Sequence, residues 1–217
     1  MPLLILGSKN YSSWSLRPWL FLRKVGFEFT ERVIAFDAPG YQREIAQVSP
    51  SGRVPLLVLG DNKIWDSLAI CEFAAEATGR GLPSNKIARG VVRAAAAEMH
   101  SGFQALREQC PMNIRARGRR VPRTPDLTRD IQRIDALWSA CRMEYGSAGG
   151  WLFGEFSMAD AMFAPVLFRF QTYGAELGPE SRAYLEHALA DPHVRDWQQA
   201  AMQEKHVLPA VDDIGKK

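Results

Sequence analysis

The sequence predicts an α/β domain followed by an all-α helical bundle, and three observations predict it. Every strand-like run lies before residue 66. From residue 88 onward the apolar residues recur at helical spacing over long segments. Between the two, Gly79-Arg-Gly-Leu-Pro83 breaks both patterns, with Leu82-Pro-Ser-Asn85 as the linker. The first domain is expected over residues 1–80 and the second over 87–217.

Leu3 to Leu6 is a short apolar run that stops at Gly7-Ser-Lys-Asn10, so it reads as a buried strand entering a loop. Leu16, Trp19, Leu20, Leu22 and Val25 fit a helix from Leu16 to Val25 that Gly26 closes, with Pro18 in its first turn. Phe27 to Ala35 alternates as a second strand, and Tyr41 to Val48 fits a short helix. Val54 to Leu59 and Lys63 to Trp65 flank Gly60-Asp-Asn62 as a hairpin. Ser67 to Thr78 is a further helix, closed by Gly79. The order β-α-β-α-β-β-α is that of a thioredoxin-like domain. In the second half, helices are expected over Ala88 to Gln109, Thr128 to Tyr145, Ser157 to Tyr173, Pro179 to Ala190 and Val194 to Glu204, and a polar, frayed tail over Asp212 to Lys217.

Composition narrows the function. A net charge of +3 is too small to point to nucleic acid. No run of apolar residues is long enough for a membrane span, and the segment that starts at Met1 is too short and lacks the basic front of a leader, so a cytoplasmic protein is expected. Cys71, Cys110 and Cys141 are widely spaced and odd in number, which argues against a disulfide framework and a zinc site and for packing residues. His100, His187, His193 and His206 lack metal-ligand spacing, so no metal is expected. There is no Gly-x-Ser-x-Gly elbow for a hydrolase nucleophile and no Gly-x-Gly-x-x-Gly for a dinucleotide.

Five segments carry chemistry or stand in its place. Ser51-Gly-Arg-Val-Pro-Leu-Leu-Val-Leu59 holds a proline inside a strand-like run, where a ladder has no use for it unless that backbone faces something other than a strand. Asp66-Ser67 opens an apolar helix, leaving free N–H groups for an anion. Ser157-Met-Ala-Asp160 matches a capping box, a folding device. Asn10-Tyr-Ser-Ser-Trp-Ser-Leu-Arg17 places hydroxyls at a helix start, where they are caps or donors to an anion. The crowded arginines at 115, 117, 119, 120 and 123 read as a solvated loop, with attraction of an anionic substrate as the alternative.

The first strand, loop and helix, the Val54-Pro55 segment, the Asp66-Ser67 helix and the capping box of the helical half, together spanning nearly the whole chain, resemble the cytosolic glutathione transferase superfamily. The resemblance implies that Val54 and a cis Pro55 present backbone groups to the cysteinyl part of glutathione, that Asp66 and Ser67 hold its γ-glutamyl end, and that Arg53 adds a contact. The first loop is similar to that of the zeta type, with Ser12-Ser13-Trp14 where Ser-Ser-Cys stands there. Trp14 in place of the cysteine argues against a mixed-disulfide mechanism and leaves a serine as thiolate donor: Ser12 first, then Ser13 or Ser15, with Tyr11 as an outside candidate. A hydroxyl donor and a helix N-terminus shift a thiol of pKa roughly 8.5 toward its anion. The implied activity is addition of glutathione to a small, mostly apolar electrophile in a cleft formed by Trp14, Phe103 and Gln104. Glutathione is then a co-substrate, with no metal, and the protein a detoxifying homodimer. The alternatives are a glutathione-dependent cis–trans isomerase of the maleylacetoacetate type and a non-catalytic glutathione-binding protein.

Overall fold

A computed structural model describes residues 1–216. Its N-terminal part is a four-stranded sheet in the order β2-β1-β3-β4, with β1 at Leu3–Gly7, β2 at Thr30–Ile34, β3 at Leu56–Leu59 and β4 at Asn62–Ile64. β2 runs parallel to β1, pairing Leu3 with Thr30 and Gly7 with Ile34. β3 runs antiparallel to β1, with Ile5 opposite Leu56, and continues into the β3–β4 hairpin. Side chains of a strand alternate between faces, so Leu4 and Leu6 face one side and Ile5 the other. On the first side they pack with Leu57 against α1 (Ser13–Val25) and α3 (Ser67–Thr78). On the second, Ile5, Ile34 and Leu56 bury Ile45 of α2 (Tyr41–Val48). Gly7 is required by this packing, because a Cβ there would meet the Phe36 ring at 2.1 Å.

The remainder is helical: α4 (Lys86–Ser101), α5 (Gln104–Gln109), α6 (Pro125–Tyr145), α7 (Met158–Tyr173), α8 (Pro179–Ala190), α9 (Pro192–Gln203) and the short α10 (Pro209–Asp212). α7 is mostly apolar and is buried on nearly all sides, with Asp160 and Arg169 among its buried residues. It packs on α1 and α4, joining the two parts through one continuous apolar core. The Ser157/Asp160 capping box forms as expected: the carboxylate of Asp160 accepts from the N–H and hydroxyl of Ser157, each at 2.8 Å, and from Leu152 N–H at 3.1 Å.

Four expectations need correction. The single helix over 88–109 is broken at Gly102 and Phe103: Gly102 is extended, a Cβ on it would meet the Glu98 carbonyl at 2.8 Å, and Phe103 has φ of 62°. α1 starts three residues before Leu16, so Pro18 lies in its second turn rather than its first. Arg115 is tied down rather than solvated: its guanidinium donates to Tyr11 Oη and to the carbonyls of Glu204 and His206. Asp212 is held as well, accepting from Tyr11 Oη and from Asn113 Nδ2, each at 2.7 Å. Lys217 lies outside the described residues. All three cysteines are buried free thiols, and burial pushes Cys110 and Cys141 up to about 11, which suits packing residues.

Candidate active site

The β1–α1 loop is fixed from both sides. The Glu204 carboxylate accepts from Lys9 N–H at 2.7 Å and Asn10 N–H at 2.9 Å, and the Lys9 carbonyl accepts from Trp197 Nε1 at 3.1 Å. Ser12 caps α1, its oxygen accepting from Ser15 N–H at 3.3 Å. The Ser12 hydroxyl donates to Ser15 Oγ at 2.8 Å, and Ser15 Oγ also accepts from Gly7 N–H at 3.0 Å. Ser12 and Ser15 therefore lock the helix start to the end of β1. Ser13, the first residue of α1, is buried and enters none of these bonds. The Tyr11 hydroxyl is engaged by the C-terminal segment, and burial followed by Asp212 raises its pKa.

A cavity of about 520 Å³ brings together Arg53, Val54, Pro55, Asp66 and Ser67 with Trp14 from α1 and His100 from α4. The Val54–Pro55 bond is cis, as the resemblance implies. Asp66 caps α3 through Oδ1, which accepts from Leu68 N–H at 3.0 Å and Ala69 N–H at 3.3 Å. Its Oδ2 lies 3.0 Å from His100 Nε2. Burial is the main cause that lowers the pKa of His100; Asp66 opposes it, and Arg17 and Arg107 add to it. His100 Nε2 is placed to donate to Asp66 Oδ2. Ser67 is fully buried, and its hydroxyl has no partner among the described residues. A buried hydroxyl left unpaired is costly, so this one points to an occupant. The α3 N-terminus and Arg53 make the same wall favourable to an anion.

Not every expected residue reaches this cavity. Trp14 does, but Ser12 and Ser13 are not among its lining residues. Phe103 packs into the core against Phe163, with ring centres 6.4 Å apart, and Gln104 is exposed and donates to Glu108, so neither stands in the cleft assigned to them. The break after α4 turns both away. Conversely, His100, in the sequence a histidine without metal spacing, lines the cavity. Its signal was a polar residue at the end of an alanine-rich stripe, one turn past Ala96. Among the described residues no cluster of His, Cys, Asp and Glu side chains could hold a metal, and no helix is long and apolar enough to cross a membrane.

The model of the glutathione S-transferase N-terminal domain matches residues 11–77, and that of the C-terminal domain matches residues 89–200. The chain belongs to the glutathione S-transferase family. Its identity to the members compared below is 21–25%. It is 24% identical over 184 residues to the Drosophila melanogaster protein named Probable maleylacetoacetate isomerase 1, covering 82% of this chain and 72% of that one. It is 25% identical over 183 residues to a maleylacetoacetate isomerase from Rattus norvegicus, covering 82% of both. A glutathione transferase homologue from Burkholderia, with glutathione bound, shares the fold at a TM-score of 0.68 and 22% identity, over 94% of this chain and 99% of that one. For glutathione transferase Omega 2S from Trametes versicolor the TM-score is 0.70 and the identity 21%, over 97% and 98%. Within this family the strands and α1–α3 form the thioredoxin-like domain, and α4–α10 the helical one.

Proposed function

We propose that the protein is a glutathione transferase that binds glutathione as co-substrate, activates it as a thiolate and adds it to small electrophiles. The observation that carries this reading is the single cavity on which the Val54–Pro55 backbone, the unpaired Ser67 hydroxyl and the α3 N-terminus converge. Residues 1–80 supply the glutathione side. Residues 87–217 supply the wall of the second-substrate site, through His100. Val54 and Pro55 face the cysteinyl segment, Asp66 and Ser67 take the γ-glutamyl end, and Arg53 adds a charge contact.

Ser13, one residue before the cavity-lining Trp14, is the thiolate donor in this reading although its own side chain does not line the cavity, and Ser12 fixes the start of the helix that carries it. Ser12 spends its proton on Ser15, whereas the Ser13 hydroxyl takes no part in that lock. Both sit at the positive end of α1, where a donor and the helix dipole favour S⁻ over SH. The serine gives a hydrogen bond and removes no proton. The protein acts as a cytoplasmic, detoxifying homodimer.

A second reading is a glutathione-dependent cis–trans isomerase, favoured by the two isomerase relatives at 24% and 25% identity. Titration of glutathione at neutral pH, followed by the ultraviolet absorbance of its thiolate, tests the proposal. The thiolate signal is expected to saturate in the wild type and to be lost in Ser13→Ala while glutathione still binds. Loss in Ser12→Ala with Ser13→Ala unaffected would reassign the donor to Ser12. Binding without a thiolate signal in the wild type would leave a non-catalytic glutathione-binding protein. Turnover of a cis-enone acid without consumption of glutathione would establish the isomerase.

A further inference from the structure

Three guanidinium groups lie behind the cavity wall, and two of them have carbonyl partners, although Arg169 Nε has none among the described residues. Arg107 of α5 donates to the carbonyls of Met99, His100 and Gly102 at the end of α4. Arg169 of α7 donates to the carbonyls of Arg107 and Cys110 at the end of α5. Helix C-termini carry partial negative charge, so each of these cations has a counterpart. Arg17 of α1 has none. It is 0% exposed, and Nε, Nη1 and Nη2 are all without a hydrogen-bond partner among the described residues. Arg107 and Arg169 repel it, Asp66 offsets part of that, and the buried Cys71 thiol stays protonated. A guanidinium does not give up its proton at physiological pH, so a large desolvation cost is left unmet.

What the cation does have is the face of Trp14, whose ring centre is 4.3 Å from the guanidinium carbon. Trp14 is 37% exposed and lines the cavity, so its ring stands between Arg17 and the open space. Two further unmet polar atoms, Ser67 Oγ and His100 Nδ1, belong to lining residues of the same cavity. Ser67 and His100 thus line the cavity itself, while Arg17 lies behind it, against the lining residue Trp14. The loop arginines are no rival for an anion there, since Arg115 is engaged with Tyr11 and the C-terminal segment and lines no part of the cavity.

We propose that Arg17 is the counter-ion for a carboxylate on the second substrate, reached when the Trp14 side chain turns off the guanidinium. The proposal rests on the transferase reading and names its substrate class: an electrophile that carries an acid group beside a planar unsaturated or aromatic part. The guanidinium fork meets a carboxylate through two parallel hydrogen bonds, and the indole freed from Arg17 offers its face to the planar part. Ser67 stays with glutathione, so the two anionic groups occupy different partners. Arg17 is a specificity-determining residue, and the sulfur chemistry stays at the start of α1.

The test uses two matched pairs of ligands. Binding of 4-methylbenzoate and of its methyl ester is measured by calorimetry in the wild type, Arg17→Met and Arg17→Lys, with and without glutathione. Turnover is followed with 4-(bromomethyl)benzoate and its methyl ester: the glutathione sulfur bonds to the benzylic carbon, bromide leaves with the electrons of the C–Br bond, and the thiol proton goes to solvent. The wild type is expected to bind the acid about tenfold or more tightly than the ester and to prefer the bromide acid in kcat/KM by a similar factor. Arg17→Met is expected to abolish that preference and to slow the acid about ten times more than the ester. Arg17→Lys, which keeps the charge without the fork and guards against a folding defect in the methionine variant, is expected to keep part of it. Equal binding of acid and ester by the wild type, or a preference that survives in Arg17→Met, would overturn the proposal. Failure of the transferase reading shows separately, as absence of glutathione binding and of turnover with either bromide, while the 4-methylbenzoate titration without glutathione still reads Arg17.

Discussion

The starts of α3 and α7 use the same two residue types and do different work. At α7, Ser157 and Asp160 satisfy each other, Asp160 also takes Leu152 N–H, and both residues are buried in the core. At α3, Asp66 caps the helix with one oxygen and lies against His100 with the other, while the buried Ser67 hydroxyl is left unpaired beside a cavity. A closed cap stabilises the fold, whereas an open one leaves a polar side chain on the cavity wall. The distinction lies in which polar atoms have partners, and a motif search sees only that both helices begin with Ser and Asp.

The largest effect that would break this contrast is at the closed cap. Asp160→Ala strands the N–H groups of Ser157 and Leu152 in the core and is expected to cost about 3–4 kcal/mol in urea unfolding, with glutathione affinity of the remaining folded protein unchanged. A loss of binding without a loss of stability would exchange the roles assigned to the two helix starts. Next in size is a pH effect at the same residue. Burial pushes the Asp160 carboxyl up to about 6, partly offset by its hydrogen bonds. The folded state then holds this proton more tightly than the unfolded chain does. Its stabilising contribution is full below about pH 4 and is lost as pH rises through about 6, a change of about 3 kcal/mol that should vanish in Asp160→Asn. The smallest effect sharpens the open cap. Ser67→Ala removes a hydroxyl that has no partner among the described residues, so stability should hold within about 0.5 kcal/mol or rise. Glutathione affinity, measured by calorimetry, should fall about tenfold.

Much of the fold was legible because local signals and tertiary packing agree. The bounds of α3 and α8 match the expected ones, since Gly79 ends the first and Pro179 starts the second. The Val54–Pro55 and Asp66–Ser67 segments line one cavity. The break between α4 and α5 was hidden because apolar spacing continues through Gly102 and Phe103, while the conflict with the Glu98 carbonyl arises only in three dimensions. The roles of Tyr11 and Arg115 were hidden for another reason: their partners lie about ninety to two hundred positions further along the chain. Arg17 stood in plain sight within Ser-Leu-Arg-Pro18, but an arginine in a sequence says nothing of whether it will be paired.

The grip of the C-terminal segment on the β1–α1 loop has a consequence for biosynthesis. Lys9 and Asn10 are held by a carboxylate 195 and 194 residues downstream, and Tyr11 by one 201 residues away. Strands and helices of the first domain can assemble while the rest of the chain is still being translated. The serine loop cannot reach its final shape until Glu204 and Asp212 have left the ribosome, so a nascent chain carries the sheet before it carries a working loop.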